Sequence, residues 1–231
     1  SANSINIGRL LPQMYYYFLA CEKLKNPIFV VPSGNFGHVL AGFYAQKMGL
    51  PIEKIIVATN TNDILYRFFQ QGHYHRSHVE HSYSPSMDIQ AASNFERLLY
   101  YLADQHPQQV CQWMQTFNET GMLTFSGSPL EQARKIMHAE RVSDATTLDT
   151  IAEVYERFGY LLDPHTAVAF KAAQRYQTEL PVICLATAHP AKFEGTIQKA
   201  VGKAPCFPAA LMALDRNPTR CYDLPATPEA V

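Results

Sequence analysis

The segment Ser33-Gly34-Asn35-Phe36-Gly37 has the residue types of an anion pocket, and it comes directly after an apolar run over residues 28–31. Gly34 and Gly37 let the backbone curl so that its N–H groups converge on one point. A helix opening near Phe36 would add the positive end of its dipole to that point. No Gly-Lys-Ser/Thr follows, which excludes a Walker loop, and the spacing is not the G-x-G-x-x-G of a dinucleotide fingerprint. A phosphate held by main-chain amides with no obligatory lysine points instead to a phosphorylated cofactor. The competing reading is a tight strand-to-helix connection whose glycines serve geometry alone.

Two further segments carry complementary chemistry. Residues 2–9, Ala-Asn-Ser-Ile-Asn-Ile-Gly-Arg, put amide, hydroxyl and guanidinium groups into one short stretch before a helix. Arg9 offers a planar donor fork suited to phosphate, and Asn3 and Ser4 add neutral donors, which would make a second oxyanion site. Helix caps plus a surface arginine explain the same residues. Thr187 follows the apolar run 182–186, where an open α/β sheet reads its ligands. Its hydroxyl can donate or accept without imposing charge, which suits an uncharged ring nitrogen, although an end-of-strand threonine needs no such role. Lys192, a few residues on, could be read as a Schiff-base lysine; helix entry and solvent exposure account for it equally. His73, His75, His78 and His81 match neither H-E-x-x-H nor a Cys/His zinc spacing, so a solvated polar loop and no metal is the expectation. Residues 84–88, Ser-Pro-Ser-Met-Asp, read as a turn.

The elements that must position these groups alternate strand with helix, which predicts an α/β fold with a twisted, mostly parallel sheet and flanking helices. Residues 28–31, 55–58 and 182–186 read as strands. A helix over 36–48 is ended by Gly49 and the following Pro51. Before the first strand, Leu10, Met14, Tyr17, Phe18 and Cys21 recur at helical spacing, with Pro12 expected to start or bend that helix rather than sit inside it. Ser128-Pro129-Leu130-Glu131 has the form of a capping box, and Ile151, Val154, Tyr155 and Phe158 line one face of a helix stopped by Gly159. Asp163-Pro164-His165-Thr166 announces a helix carrying Ala167, Phe170 and Ala173. The alternation fails over 72–128, read as a mostly helical insertion with patterns near 94–103 and 108–117. The resulting division is 1–71 and 129–204 as parts of one cofactor-binding α/β domain, 72–128 as the insertion and 205–231 as an irregular tail.

Composition limits the function classes. With 231 residues, 47% apolar and 17% charged, and a formal net charge of −1, nothing in bulk charge calls for nucleic acid or a membrane surface as partner. No stretch approaches the roughly 18 apolar residues of a membrane span. Five cysteines without a C-x-x-C pair fit free thiols in a reducing compartment, the cytoplasm being the expected one. The chain begins with Ser1 rather than Met and has no signal-like start, which leads us to expect a processed chain or a fragment of a longer protein.

Five motifs in order, S-A-N-S-I-N-x-x-R at 1–9, P-S-G-N-F-G at 32–37, A-T-N-x-N-D at 58–63, D-P-H-T-A at 163–167 and A-T-A-H-P-A-K-F at 186–193, resemble the second half of the threonine synthases. These are pyridoxal-phosphate enzymes of the fold-type-II, tryptophan synthase β-like class. The resemblance covers about residues 1–203 and implies that the main-chain amides of Gly34, Asn35, Phe36 and Gly37, with Ser33 and His38 beside them, hold the cofactor phosphate. His38 departs from the polar residue that often follows the second glycine in the family. Thr187 resembles the hydroxyl residue facing the pyridine nitrogen; a neutral partner there tempers the electron sink and steers carbanion chemistry toward β,γ rearrangement. Asn3, Ser4 and Arg9 resemble the clamp on the phosphate of O-phosphohomoserine. The implied reaction converts O-phospho-L-homoserine and water into L-threonine and phosphate. The family's Schiff-base lysine lies in a His-x-Pro-Thr-x-x-x-Lys-Asp-like motif ahead of its S-x-N-S-I-N segment, and no such run occurs here, so that lysine is expected upstream of Ser1. The expectation is therefore an incomplete sheet, the missing N-terminal half as partner, no catalytic residue within this chain and little activity in isolation. Two alternatives remain: a non-catalytic phosphate- or cofactor-binding module, and a serine/threonine dehydratase relative, against which the phosphate clamp argues because dehydratase substrates carry no phosphate.

Overall fold

The computed structural model describes residues 5–214, 218–225 and 227. In chain order the elements are α1 (Ile7–Cys21), β1 (Ile28–Pro32), α2 (Gly37–Lys47), β2 (Lys54–Thr59), α3 (Ile64–Gln71), β3 (His73–His75), α4 (Phe95–Leu102), α5 (Pro107–Thr120) and β4 (Met122–Thr124). They continue with α6 (Ser128–Ile136), β5 (Met137–Arg141), α7 (Asp144–Phe158), α8 (Pro164–Arg175), β6 (Val182–Cys184), α9 (Glu194–Val201) and α10 (Ala209–Leu214). Two single turns of 3₁₀ helix, Pro85–Met87 and Pro190–Phe193, interrupt the loops.

The main sheet has the order β5-β2-β1-β6, and every pairing in it is parallel. A parallel sheet is covered on both faces, which is why β1 and β2 read as unbroken apolar runs. Phe29, Val31, Ile55 and Val57 point into the larger core with α1, α2 and α4, while Ile28, Val30, Ile56 and Ala58 point the other way against Val168, Ala169 and Ala172 of α8. The small antiparallel pair β3–β4 lies apart, with Tyr74 opposite Leu123.

The mostly parallel sheet with flanking helices expected from the sequence forms, with local corrections. Pro12 sits inside α1 rather than at its start. It has no N–H for the carbonyl of Gly8, but that turn is exposed, so water can take the bond. The run 182–186 is a strand only to Cys184, the chain then leaving the sheet after Leu185 N–H donates to Val30 O at 3.0 Å. Strand β5 has no counterpart among the expected strands. Ser128 does not cap α6: Gly127, at φ +60°, takes that position, and the Ser128 hydroxyl accepts from Gln132 Nε2 at 3.0 Å instead. Phe158 turns out of the core at 63% exposed, while Ile151 and Val154 stay in it. The tail contains α10. Among the described residues no helix is long and apolar enough to cross a membrane.

Candidate functional site

The turn after β1 is held from outside by residues far along the chain. Ser33 N–H donates to Ala58 O at 2.9 Å, continuing the ladder one step past the strand. Phe36 then takes φ +65° and leads into α2. The left-handed residue is therefore the phenylalanine, and the expectation that the glycines supply the curl is corrected. A non-glycine residue there carries strain, which the burial of its ring edge-on to Phe95 at 5.5 Å offsets. Gly34 is needed for close approach: a Cβ there would lie 2.7 Å from Ser86 O and 3.0 Å from Met87 Cα. Asn35 O accepts from both Asn94 N–H and Asn94 Nδ2, each at 3.1 Å, and Asn35 Oδ1 accepts from Ser93 Oγ at 3.2 Å. The amide hydrogens of Gly34, Asn35 and Phe36 meet no acceptor among the described residues. Together with the first-turn N–H groups of α2, which no helix can satisfy internally, they make a donor cup.

Beside this cup lies an open cavity of about 450 Å³, lined by Arg9, Gln13 and Tyr16 of α1, His38 of α2, and Ala186 and Thr187 beyond β6. It thus joins three of the residues singled out from sequence, Arg9, His38 and Thr187. Among the described residues, Ser33 Oγ, His38 Nε2 and Gln13 Oε1 are buried without a hydrogen-bond partner, an arrangement that asks for a polar ligand. Burial lowers the His38 pKa to about 4, so the imidazole is neutral at neutral pH. Its main-chain carbonyl accepts from Tyr17 Oη at 2.8 Å, which ties α1 to α2. Asn6 caps α1 through Oδ1, accepting from Gly8 N–H at 2.9 Å. Ser1, Asn3 and Ser4 lie outside the described residues. The clamp expected from Asn3 and Ser4, and the lysine expected upstream of Ser1, therefore have no described counterpart; among the described residues of that segment, Gly8 and Arg9 line the cavity.

The A-T-N-x-N-D and D-P-H-T motifs support the cup from behind. Asn60 Nδ2 donates to Asp88 Oδ1 at 2.8 Å and Asn62 Nδ2 to the same oxygen at 3.0 Å, fixing the 3₁₀ turn that presses on Gly34. Asp163 caps α8, its Oδ1 accepting from His165 N–H at 3.0 Å. Burial raises the pKa of this carboxyl, but hydrogen bonds from His165 and Thr166 outweigh that effect and hold it below the ordinary 3.8. Sequence reasoning took Asp163 only as a helix start; the signal it passed over is the pair of side-chain donors, His165 and Thr166, immediately after a capping acid.

Other candidates stay apart from the cavity. Lys192 is exposed at the 3₁₀ turn before α9. His73 and His75 belong to β3 rather than to a loop, and His75 is gripped by Arg67, which also pairs with Asp63 at 2.8 Å. Among the described residues there is no cluster of three or more histidines, cysteines or acids arranged to hold a metal ion.

A parallel α/β sheet with a turn of unpaired main-chain donors at the C-terminal end of an inner strand defines a broad class of α/β proteins. The fold is shared with the processed form of threonine deaminase isoform 2 from Solanum lycopersicum, at TM-score 0.50 and 12% identity over 84% of this chain and 47% of that one. Within that class the matches narrow sharply. Residues 166–231 match the family described as Threonine synthase, C-terminal. Threonine synthase of Pseudomonas aeruginosa is 44% identical over 97% of this chain and 50% of its own length. The PLP-bound threonine synthase from Brucella melitensis superposes with TM-score 0.90 at 43% identity, covering 94% of this chain and 48% of that one. Over nearly its whole length the chain is similar to threonine synthases, and the match falls on their C-terminal half. It spans about half the length of the curated relatives it matches.

Proposed function

We propose that this chain forms the phosphate-binding half of a threonine synthase, an enzyme that turns O-phospho-L-homoserine and water into L-threonine and inorganic phosphate with the help of pyridoxal phosphate. The observation that supports this most is the single cavity that brings Arg9, His38 and Thr187 together beside the donor cup of residues 33–37. The residues present fit the cofactor. Unmatched amides at 34–36 and the orphaned Ser33 hydroxyl suit a phosphate, and a hydroxyl at Thr187 suits an uncharged ring nitrogen.

When bound, pyridoxal phosphate supplies the electron sink that stabilises carbanions next to the substrate's amine-bearing carbon. The roles assigned to the chain are binding and orientation. Ser33, Gly34, Asn35, Phe36, Gly37 and His38 take the cofactor phosphate through main-chain N–H groups and the serine hydroxyl. Thr187 offers a neutral hydrogen bond at the ring nitrogen and so favours its unprotonated form. Arg9, with Asn3 and Ser4, takes the phosphate that leaves the substrate, its guanidinium fork matching two phosphate oxygens. The lysine that carries the cofactor and moves protons lies, on this reading, in sequence preceding Ser1. Residues 1–71 and 129–204 then act as one α/β unit, 72–128 as an insertion that braces the cup, and a cytoplasmic setting keeps the five unpaired cysteines reduced.

The test is made on the full-length protein that carries this sequence, loaded with pyridoxal phosphate. Phosphate and threonine should appear in equal amounts from O-phosphohomoserine. Ammonia and a 2-keto acid from threonine or serine, with no phosphate release, would replace this reading by a dehydratase, and cofactor uptake without turnover would leave a binding module.

A further inference from the structure

Behind the cavity, one carboxylate holds two segments that the chain brings in from opposite directions. Asp163 is 2% exposed, and its neighbours His165 and Thr166 are nearly as buried. On one side Asp163 Oδ1 accepts from His165 Nδ1 at 3.0 Å, and His165 Nε2 accepts from Ser86 N–H at 3.2 Å. A main-chain N–H can only donate, so Nε2 is the bare nitrogen and the ring hydrogen sits on Nδ1, facing the carboxylate. The carbonyl of that same Ser86 is the atom packed against Gly34 in the cup. On the other side Asp163 Oδ2 accepts from the Thr166 hydroxyl, whose oxygen in turn accepts from Thr187 N–H at 3.3 Å. Capping α8 needs only one oxygen facing main-chain N–H groups. The second oxygen, the imidazole and the hydroxyl are more than a cap requires, and burying them costs free energy that the cap alone does not call for.

We propose that Asp163 is a positioning residue: through the His165 arm and the Thr166 arm it sets the spacing between the cofactor-phosphate cup at Gly34 and the ring-nitrogen partner Thr187. The proposal rests on the cofactor reading given above. It assigns the D-P-H-T motif to holding a rigid cofactor at both ends, a task in which a fraction of an ångström at either end matters.

The experiment uses the full-length protein, free of cofactor, with amide hydrogen exchange read at Ser86 and Thr187. Asp163→Ser keeps a capping oxygen for α8 and removes both arms. Exchange at both amides should rise by about tenfold or more while the rest of α8 stays protected, and the Kd for pyridoxal phosphate should rise about tenfold, the size of one net hydrogen bond. Thr166→Val should release Thr187 alone, and His165→Phe should release Ser86 alone; these variants carry the test even if Asp163→Ser folds poorly. Wild-type protection of both amides in Asp163→Ser, or single-arm variants that loosen both amides or the whole of α8 alike, would overturn the proposal. Should the unaltered protein take up no pyridoxal phosphate, the functional reading fails, and the exchange pattern still decides whether Asp163 couples the two segments.

Discussion

The site has two walls built in opposite ways, the donor cup and the helix that lines the cavity beside it. The inner wall, the turn at 33–37 with its backing from Ser86, Asn94 and Asp163, is fixed by main-chain contacts and hydrogen bonds from segments far along the chain. The outer wall is α1, seated on one side only. Leu10 and Tyr17 are fully buried, and the Tyr17 ring lies so near Gly42 that a Cβ there would come within 2.6 Å of it. Ile7, Leu11, Tyr15 and Leu19, on the far side of the helix, are exposed. The inner wall offers amides whose positions the backbone dictates, and the outer wall offers Arg9 and Gln13 from long side chains. A rigid phosphate-bearing cofactor suits the first, and a substrate that enters and leaves suits the second.

The largest break in this contrast should come from Gly34→Ala. The new methyl meets a backbone carbonyl that Asp88, Asn60 and Asn62 hold in place, so the cup has to shift. Overpacking of this kind costs about 3 kcal/mol, which predicts on the order of a hundredfold weaker pyridoxal-phosphate binding in a spectroscopic titration of the full-length protein. Gly195→Ala in α9 is the control, since a Cβ there meets nothing within 4 Å. It should leave binding unchanged and raise the unfolding midpoint slightly.

A smaller effect is expected at His38, where the walls meet. Its folded-state pKa is about 4 against an ordinary 6.5, because burial disfavours the charged ring. The unfolded chain therefore binds a proton over the interval from 6.5 down to 4 that the folded chain refuses, and stability falls as pH falls through that window. The loss should reach about 2 kcal/mol by roughly pH 5. His38→Asn should flatten the denaturant midpoint against pH there, and an unchanged slope would place the ring in water. Smallest of all, Leu11→Ser on the open face of α1 should move the stability of this chain by no more than about 0.5 kcal/mol. A loss several times larger in the full-length protein would show that another part of it covers that face.

What could be read from the sequence follows the same contrast. The strands of the inner wall were legible because β1 and β2 are covered on both faces and carry almost nothing but apolar residues, and the cap at Asp163 because Asp-Pro opens helices for a local reason. β5 was not: Met137-His138-Ala139-Glu140-Arg141 lies at the sheet edge, alternates buried with half-buried, and follows α6 with no turn residue between them. The left-handed Phe36 was hidden because the glycines on either side of it are the residues that adopt that conformation at no steric cost, whereas packing against Phe95 decides the matter. The link from His165 to Ser86 spans 79 positions and rests on a main-chain donor, so no residue type announces it. Pro12 looked like a helix start because propensity is local, and the packing of Tyr17 on Phe29 and α2 overrides it.

The division of labour between the two walls is tested most directly by Arg9→Gln in the full-length protein, measuring the KM for O-phosphohomoserine and the Kd for pyridoxal phosphate side by side. Loss of two charge-assisted hydrogen bonds predicts a KM about a hundredfold higher with cofactor affinity unchanged within about twofold. A cofactor affinity that collapses while KM stays put would contradict the account, because it would place the cofactor, and not the substrate, against α1.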